Sequence, residues 1–287
     1  MYAEFDLETP KRFEEAVALL AGNRGAVLAL AGGTNLVVDL RARRLVPDRL
    51  VSLSQIDTLR WICLADGRVG IGGRTTVTDL LRAPEIARHG ASLVDAAGVF
   101  AGQMVRNTAT VAGNIACGSP AADLVPPLLC LDADVVLTNV SGSRTVPIAE
   151  YFTSYKTDIR RPDELITEIS WAVPTGLSVN RFYKLARRKG DAITVTGVAV
   201  NLTVAGGVCA KARIALGAVS PMVVRARRAE VLIEGQPLSP ALISEASRVA
   251  AEECRPIDDI RASADYRRHA VYMLTRRLVS DAWARLS

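Results

Sequence analysis

The change of pattern near the middle of the chain constrains the fold most strongly. Residues 181–216 contain three segments that alternate apolar and polar side chains as strands do. In residues 226–286, apolar side chains instead recur at helical spacing. Strands followed by helices predict a sheet with helices packed on one face. Residues 174–176, Pro-Thr-Gly, are typical of a turn or linker and lie just before this half of the chain. The 287-residue sequence therefore predicts two domains, residues 1–176 and residues 177–287.

Histidine and cysteine usage excludes several kinds of site. The two histidines, His89 and His269, are too few for a multi-histidine metal centre and argue against a histidine-based catalytic triad. Five cysteines occur without a Cys-x-x-Cys pair, which excludes zinc-ribbon and typical iron–sulfur spacing on this chain. We expect buried or neutral thiols in a reducing compartment.

Charge and hydropathy point to a cytoplasmic protein without a membrane span. Residues 1–7 have neither the basic nor the apolar part of a secretion signal. The uncharged residues 192–210 alternate and contain threonine, asparagine and glycine, so they predict a buried β-hairpin. The net charge is +5 and basic clusters occur, but no pattern typical of nucleic-acid binding accompanies them. Solvated helix faces or a protein interface explain them better.

Local signals place several elements in the first half. Thr9-Pro10 predicts the start of a helix that Gly22 can end. Val27–Leu30 is a short apolar strand, and Asp66-Gly67 predicts the turn of a hairpin. Thr76 followed by Asp79 predicts a capping box at the start of another helix.

A glycine-bearing loop directly follows the apolar strand. Residues 30–35 read Leu-Ala-Gly-Gly-Thr-Asn. Glycines let the backbone approach a ligand closely, and successive N–H groups form a nest that suits a pyrophosphate. The alternative is an ordinary Gly-Gly turn between two elements.

A second loop is notable for its small uncharged side chains. Residues 108–122 carry no charge, end at Asp123, and match neither a helix nor an alternating strand. Small side chains permit tight packing around an extended ligand, and Asp123 could accept hydrogen bonds from a ribose or an adenine edge. The alternative is a buried turn with Asp123 as a helix cap. Residues 70–73, Gly-Ile-Gly-Gly, lack the spacing and the following helix of a Rossmann fingerprint.

Taken together, the two loops resemble the FAD-binding, or medium, subunits of the molybdenum hydroxylases. This family includes carbon monoxide, quinoline, nicotinate and xanthine dehydrogenases, and the resemblance runs essentially from end to end. Its matching segments are residues 31–35, 103–107 and 110–114, Ser119-Pro120 with Asp123, residues 163–166, Tyr183-Lys184 and residues 187–191.

The resemblance implies an α+β fold, with a two-lobed FAD-binding module of the vanillyl-alcohol-oxidase (PCMH) type followed by a small C-terminal domain with an antiparallel sheet and helices. It implies FAD on this chain, and molybdopterin and [2Fe–2S] clusters on partner chains only. Those partners would be a large molybdopterin-binding subunit and a small [2Fe–2S] subunit, assembled as a dimer of heterotrimers. The chain would pass electrons from the clusters to an acceptor that stays open among NAD, quinone, oxygen and another carrier. The substrate hydroxylated by the partner also stays open.

The resemblance also implies FAD contacts at matching positions and no catalytic or metal-binding residue on this chain. Asn35 and Ala112 stand where family members often have aspartate and glycine, and the residues after Asp191 lack an aromatic side chain that could shield the flavin. Two other functions stay open: a self-contained FAD-dependent oxidoreductase of the same fold, and a flavin-free assembly subunit. The implied FAD contacts are Ala29, Leu30, Ala31, Gly32, Gly33, Thr34, Asn35 and Leu36 around the pyrophosphate, Phe100 beside the flavin, Thr110, Val111, Ala112, Gly113 and Asn114 in the second loop, Asp123 at a polar end of the nucleotide, and Ile166 and Lys184 beside FAD from the other lobe.

Overall fold

The first lobe is a small parallel sheet with one packed helix, in a computed structural model that describes residues 4–21 and 26–286. Its elements are β1 (Asp6–Glu8), α1 (Phe13–Leu20), β2 (Val27–Leu30), α2 (Leu36–Arg41) and β3 (Arg49–Ser52). The strand order is β1-β3-β2, and both pairs are parallel. Helix α1 begins later than Thr9-Pro10 predicts, after Arg12, whose side chain makes no capping bond. Its predicted end, Gly22, lies outside the described residues.

The second lobe is built on a five-stranded antiparallel sheet. Its elements are β4 (Ile62–Ala65), β5 (Arg68–Gly72), α3 (Val77–Arg82), α4 (Pro84–His89), α5 (Ala91–Gly98), α6 (Gln103–Thr108), α7 (Val111–Ala116), α8 (Val125–Cys130), β6 (Asp134–Asn139), β7 (Gly142–Pro147), α9 (Ile148–Tyr151), β8 (Phe152–Ser154), β9 (Thr157–Asp158) and β10 (Leu165–Ala172). The sheet order is β4-β5-β10-β6-β7, and β8 pairs with β9 alone. Asp66 and Gly67 both have positive φ in the β4–β5 turn, which confirms the predicted hairpin.

Two local predictions in this lobe have different outcomes. The capping box is confirmed, because Thr76 Oγ1 accepts from the Asp79 N–H at 3.2 Å and Asp79 Oδ2 accepts from the Thr76 N–H at 2.9 Å. The prediction that residues 108–122 match neither a helix nor a strand is wrong, since α7 lies there. Thr110 caps this helix and its apolar face is buried, so capping and packing outweigh the poor helix propensity of threonine and glycine.

The C-terminal domain follows the predicted order of strands and then helices. Its elements are β11 (Leu177–Ala186), β12 (Thr194–Ala205), β13 (Val208–Gly217), β14 (Val224–Arg225), α10 (Arg227–Ile233), α11 (Pro240–Glu253) and α12 (Ala264–Ala284). The four strands form an antiparallel sheet in the order β11-β12-β13-β14. Gly206 and Gly207 have positive φ at the β12–β13 turn, so the hairpin predicted for residues 192–210 is confirmed. In the described part of the chain, no helix is long and apolar enough to cross a bilayer.

The C-terminal sheet packs on both of its faces. One face carries Val198, Val200 and Ile214, which pack against the domain's own helices. The opposite face carries Phe182 and Ala199, which belong to the hydrophobic core of the second lobe. The sheet therefore lies between its own helices and the FAD-binding module, and strand alternation decides which residues face the module.

Candidate functional site

A cleft of about 620 Å³ lies between the two lobes of the first domain. Its volume is in the range typical of small-molecule and cofactor sites. Residues from both glycine-bearing loops and from the start of β10 line it. The structure thus brings together most of the residues that the sequence suggested, namely Ala29, Ala31, Gly32, Gly33, Thr34, Asn35, Leu36, Phe100, Thr110, Ala112, Gly113, Asn114 and Ile166.

The first loop presents unpaired backbone donors to the cleft. It turns from β2 into α2 through Gly33, whose φ of +69° is a conformation that side-chain-bearing residues rarely adopt. Within residues 4–21 and 26–286, the N–H groups of Gly33, Thr34, Asn35 and Leu36 have no hydrogen-bond acceptor. Consecutive free N–H groups at a turn into a helix attract an anionic group such as a phosphate.

Backbone packing fixes the first loop against the chain that leads into the second. A Cβ on Gly32 would lie 2.0 Å from the carbonyl oxygen of Thr108, so only glycine fits there. Thr108 ends α6, just before the second loop begins. The two loops are therefore held side by side by a contact between main chains, with no side chain between them.

Side chains of the second loop fix its shape by accepting hydrogen bonds from main-chain N–H groups. Thr110 Oγ1 accepts from the Gly113 N–H at 3.0 Å and caps α7. A Cβ on Gly113 would lie 2.8 Å from that hydroxyl oxygen. Asn114 Oδ1 accepts from the Leu124 N–H at 3.2 Å, which ties the loop to the start of α8. The loop presents small side chains and main chain to the cleft.

A separate buried cluster lies where the first domain meets the C-terminal sheet. Lys184 Nζ donates to Asp123 Oδ2 at 2.6 Å, and the Thr194 hydroxyl donates to Asp123 Oδ1. The Lys184 and Asp123 side chains are only 5% and 8% exposed. The alternative role of Asp123 as a helix cap is wrong, because both carboxylate oxygens bind C-terminal residues and α8 has no side-chain cap.

The cluster does not line the cleft, and neither do Leu30 and Val111. The roles of Asp123, Lys184, Leu30 and Val111 as FAD contacts stay predictions. Burial raises the pKa of the Asp123 carboxyl, and the charge of Lys184 and the hydrogen bonds from Lys184 and Thr194 oppose that rise.

Sequence reasoning missed several polar residues of the cleft. Lys156, Arg160 and Arg161 line it, and so does Cys117. Cys117 Sγ donates to the carbonyl of Asn114 at 3.0 Å, and burial raises the pKa of the thiol, which keeps it protonated. A signal for the two arginines was present, since only Pro162 separates Arg160-Arg161 from the matched residues 163–166.

Glu164, in that matched segment, is a buried carboxylate that also lines the cleft. It accepts two hydrogen bonds from Arg144, at 2.7 and 2.8 Å, and one from the Arg161 N–H at 2.7 Å. The hydrogen bonds from Arg144 lower its pKa below the ordinary glutamate range. Glu164 thus stays ionised and fixes the chain that leads into β10.

The donor set of the cleft fits FAD. Free N–H groups and glycines that exclude a Cβ make a cradle for a diphosphate. Cationic side chains line the same cleft and match the charge of that group. Apolar residues such as Phe100 and Ile166 offer packing surface for flat rings.

Comparison with known proteins agrees with this geometry. Residues 3–175 match the family described as "FAD binding domain in molybdopterin dehydrogenase", and residues 181–282 match "CO dehydrogenase flavoprotein C-terminal domain". The carbon monoxide dehydrogenase medium chain of Hydrogenophaga pseudoflava is 31% identical over 98% of both chains. The nicotinate dehydrogenase FAD-subunit of Eubacterium barkeri is 29% identical over 97% of this chain and 96% of its own length.

Solved structures show the same similarity across the whole chain. The structure of carbon monoxide dehydrogenase from Hydrogenophaga pseudoflava superposes with a TM-score of 0.95 over 99% of both chains, at 31% identity. That of quinoline 2-oxidoreductase from Pseudomonas putida 86 has a TM-score of 0.92 over 99% of this chain and 98% of its own, at 26% identity. The chain is an oxidoreductase subunit that belongs to the family of FAD-binding medium subunits of the molybdenum hydroxylases.

Proposed function

We propose that this chain carries electrons from the [2Fe–2S] clusters of a partner subunit, through its own FAD, to an external acceptor. The observation that carries the proposal is the cleft, in which two main-chain loops meet with unpaired donors facing inward. The flavin, when bound, supplies the redox chemistry, and the protein supplies binding, orientation and charge.

The residues of the chain divide this work. The first loop would hold the diphosphate by its N–H groups, and the second loop would line the cleft beside it. The buried Asp123–Lys184 pair supplies a fixed charge pair where the first domain meets the C-terminal sheet, and Lys184 would lie beside the flavin there. Cys117 is a protonated thiol that already donates a hydrogen bond, which supports noncovalent binding of the flavin.

The assembly and domain limits are part of the same proposal. Relatives of this chain are called medium chains, which supports a large molybdopterin-binding partner and a small [2Fe–2S] partner, in a dimer of heterotrimers. The FAD-binding domain would span residues 1–176 and the C-terminal domain residues 177–287. Cysteines that form no disulfide support a cytoplasmic location.

The test uses the purified, FAD-loaded chain and the [2Fe–2S] subunit that co-purifies with the native complex. The iron–sulfur protein is reduced chemically, freed of reductant and mixed with the chain without oxygen, and the same protein in its oxidised form is the control. We expect the reduced protein alone to bleach the visible absorbance of the flavin. Failure to bleach it, with direct reduction of the chain by a simple organic substrate, would establish a self-contained flavoenzyme instead. A colourless chain that takes up no FAD would be an assembly subunit.

A further inference from the structure

Three cationic side chains that lie outside the short segments matched to the family line the cleft. They are Lys156, Arg160 and Arg161, and we call them the cationic rim. They follow one another on the β8–β9 hairpin and the segment after it. Their positions are set by contacts on two sides.

Close main-chain packing fixes Lys156. Its φ is +54°, in the left-handed region, at the turn between β8 and β9. Gly118, just beyond α7, also has a positive φ of +59°, and a Cβ there would lie 2.8 Å from the Lys156 Cα. The hairpin therefore packs directly on the end of the second loop, and Lys156 cannot move away without disturbing it.

The buried Glu164–Arg144 pair fixes Arg161. Glu164 Oε2 accepts from the Arg161 N–H at 2.7 Å, and Arg144 donates both to Glu164 and to the carbonyl of Ile159, at 2.8 Å. The Glu164 side chain is 3% exposed. These bonds hold the main chain on both sides of Arg160.

The charges of the rim are only partly compensated within the described residues. Arg160 pairs with Asp158 at 3.5 Å, whereas Lys156 and Arg161 form no ion pair with a described carboxylate. The acidic residues of the cleft already have partners, Asp39 with Arg44 at 3.1 Å and Glu164 with Arg144 at 2.7 Å. The cleft therefore combines the free N–H groups of the first loop with two cations, Lys156 and Arg161, that have no ion-pair partner among the described residues.

We propose that the cationic rim binds the diphosphate of FAD together with the N–H groups of the first loop. The inference rests on the proposed function, because it presumes FAD in the cleft. Main-chain amides give geometry to phosphate binding but little net charge, and Lys156 and Arg161 supply that charge. Arg160, shared with Asp158, contributes less.

The experiment measures the affinity of the flavin-free full chain for FAD across a range of salt concentrations. The double variant Lys156→Met/Arg161→Met is compared with Lys11→Met/Arg88→Met, which removes the same charge from exposed positions outside the cleft. At about tenfold per charge-assisted contact, the rim variant should bind FAD roughly 100-fold more weakly at low salt. Its salt dependence should also be shallower, and the two variants should converge at high salt.

Three results distinguish the possible failures. A wild-type chain that binds no FAD would overturn the proposed function itself. A rim variant that matches the control variant in affinity and salt dependence would overturn the rim alone. If the rim variant fails to fold, the charge-retaining pair Lys156→Arg/Arg161→Lys decides, because the rim requires it to keep most of the affinity and the salt dependence.

Discussion

The open cleft and the buried Asp123–Lys184 cluster differ in whether their polar groups already have hydrogen-bond partners. In the cleft, the N–H groups of Gly33 and its neighbours have no acceptor among the described residues. In the cluster, both oxygens of Asp123 and the ammonium of Lys184 are already bound. A ligand can dock in the cleft without displacing a protein hydrogen bond, whereas the cluster acts on a ligand only through its charge and shape.

This difference indicates which kind of substitution should damage each region. The cleft depends on main chain and on the absence of side-chain atoms, so added volume or negative charge damages it. The cluster depends on balanced charge in a buried place, so removal of one partner damages it. Three substitutions test the contrast.

The largest effect is expected from a carboxylate in the cleft. Gly33→Asp or Gly113→Asp should abolish FAD binding with the fold retained, because two unit charges about 4 Å apart repel by about 4 kcal/mol at an effective dielectric near 20. In Gly113→Asp, the new Cβ would also crowd the Thr110 hydroxyl at 2.8 Å. Flavin content after purification and a titration with FAD measure the effect.

Gly67→Asp is the matched control for Gly33→Asp. Its φ of +70° is nearly the same as the +69° of Gly33, and nothing lies within 4 Å of a Cβ at that position in the β4–β5 turn. The strain that a positive φ imposes is thus similar in the two variants, and a Cβ on Gly33 would in addition lie 3.1 Å from Leu30 Cδ1. Normal flavin occupancy in Gly33→Asp, or equal loss in Gly67→Asp, would contradict the assignment of the first loop to the phosphates.

The second effect concerns the cluster. Lys184→Met leaves Asp123 buried without its counter-ion and should lower the free energy of unfolding by about 3–5 kcal/mol. The double variant Asp123→Asn/Lys184→Met should recover most of this loss, because no unpaired charge remains. Urea unfolding of the four chains of this cycle measures the coupling. A Lys184→Met chain as stable as wild type would show that the pair is not electrostatically coupled.

The smallest effect is expected at Glu164, in the wall of the cleft. Its pKa is lowered in the folded state by Arg144, so its stabilising contribution is present above the ordinary glutamate pKa of about 4.3 and is lost as the pH falls through the lower folded value. Glu164→Gln should cost about 1–3 kcal/mol at neutral pH. The cost should disappear in acid. Unfolding measured at several pH values tests this, and a cost that does not change with pH would contradict the ion pair.

Local signals in the sequence predicted local structure well. The Thr76–Asp79 capping box and the Asp66-Gly67 turn each depend on residues within one turn of chain. Strand alternation also places Phe182 and Lys184 on one face of β11, and the structure buries both side chains there, while Tyr183 on the other face is partly exposed.

Contacts between distant segments could not be predicted in this way. Asp123 and Lys184 are 61 residues apart, and only the packing of the C-terminal sheet against α8 brings them together. The cationic rim likewise depends on a hairpin that packs on Gly118. This is a contact between main chains, which no pattern of side chains predicts. Family resemblance supplied the pairing of the two loops, which composition and spacing alone left open.

The C-terminal sheet that completes the core of the second lobe has a consequence for how the chain folds. Asp132, at the end of α8, binds Lys211, Arg213 and Arg225 of that sheet at 2.8 to 2.9 Å. Phe182 also lies inside the hydrophobic core of the second lobe. The boundary near Gly176 therefore separates two sequence regions but not two units that unfold independently. We therefore expect the cofactor-binding lobes and the C-terminal sheet to unfold together, and a cofactor held by the lobes to raise the melting temperature of the whole chain.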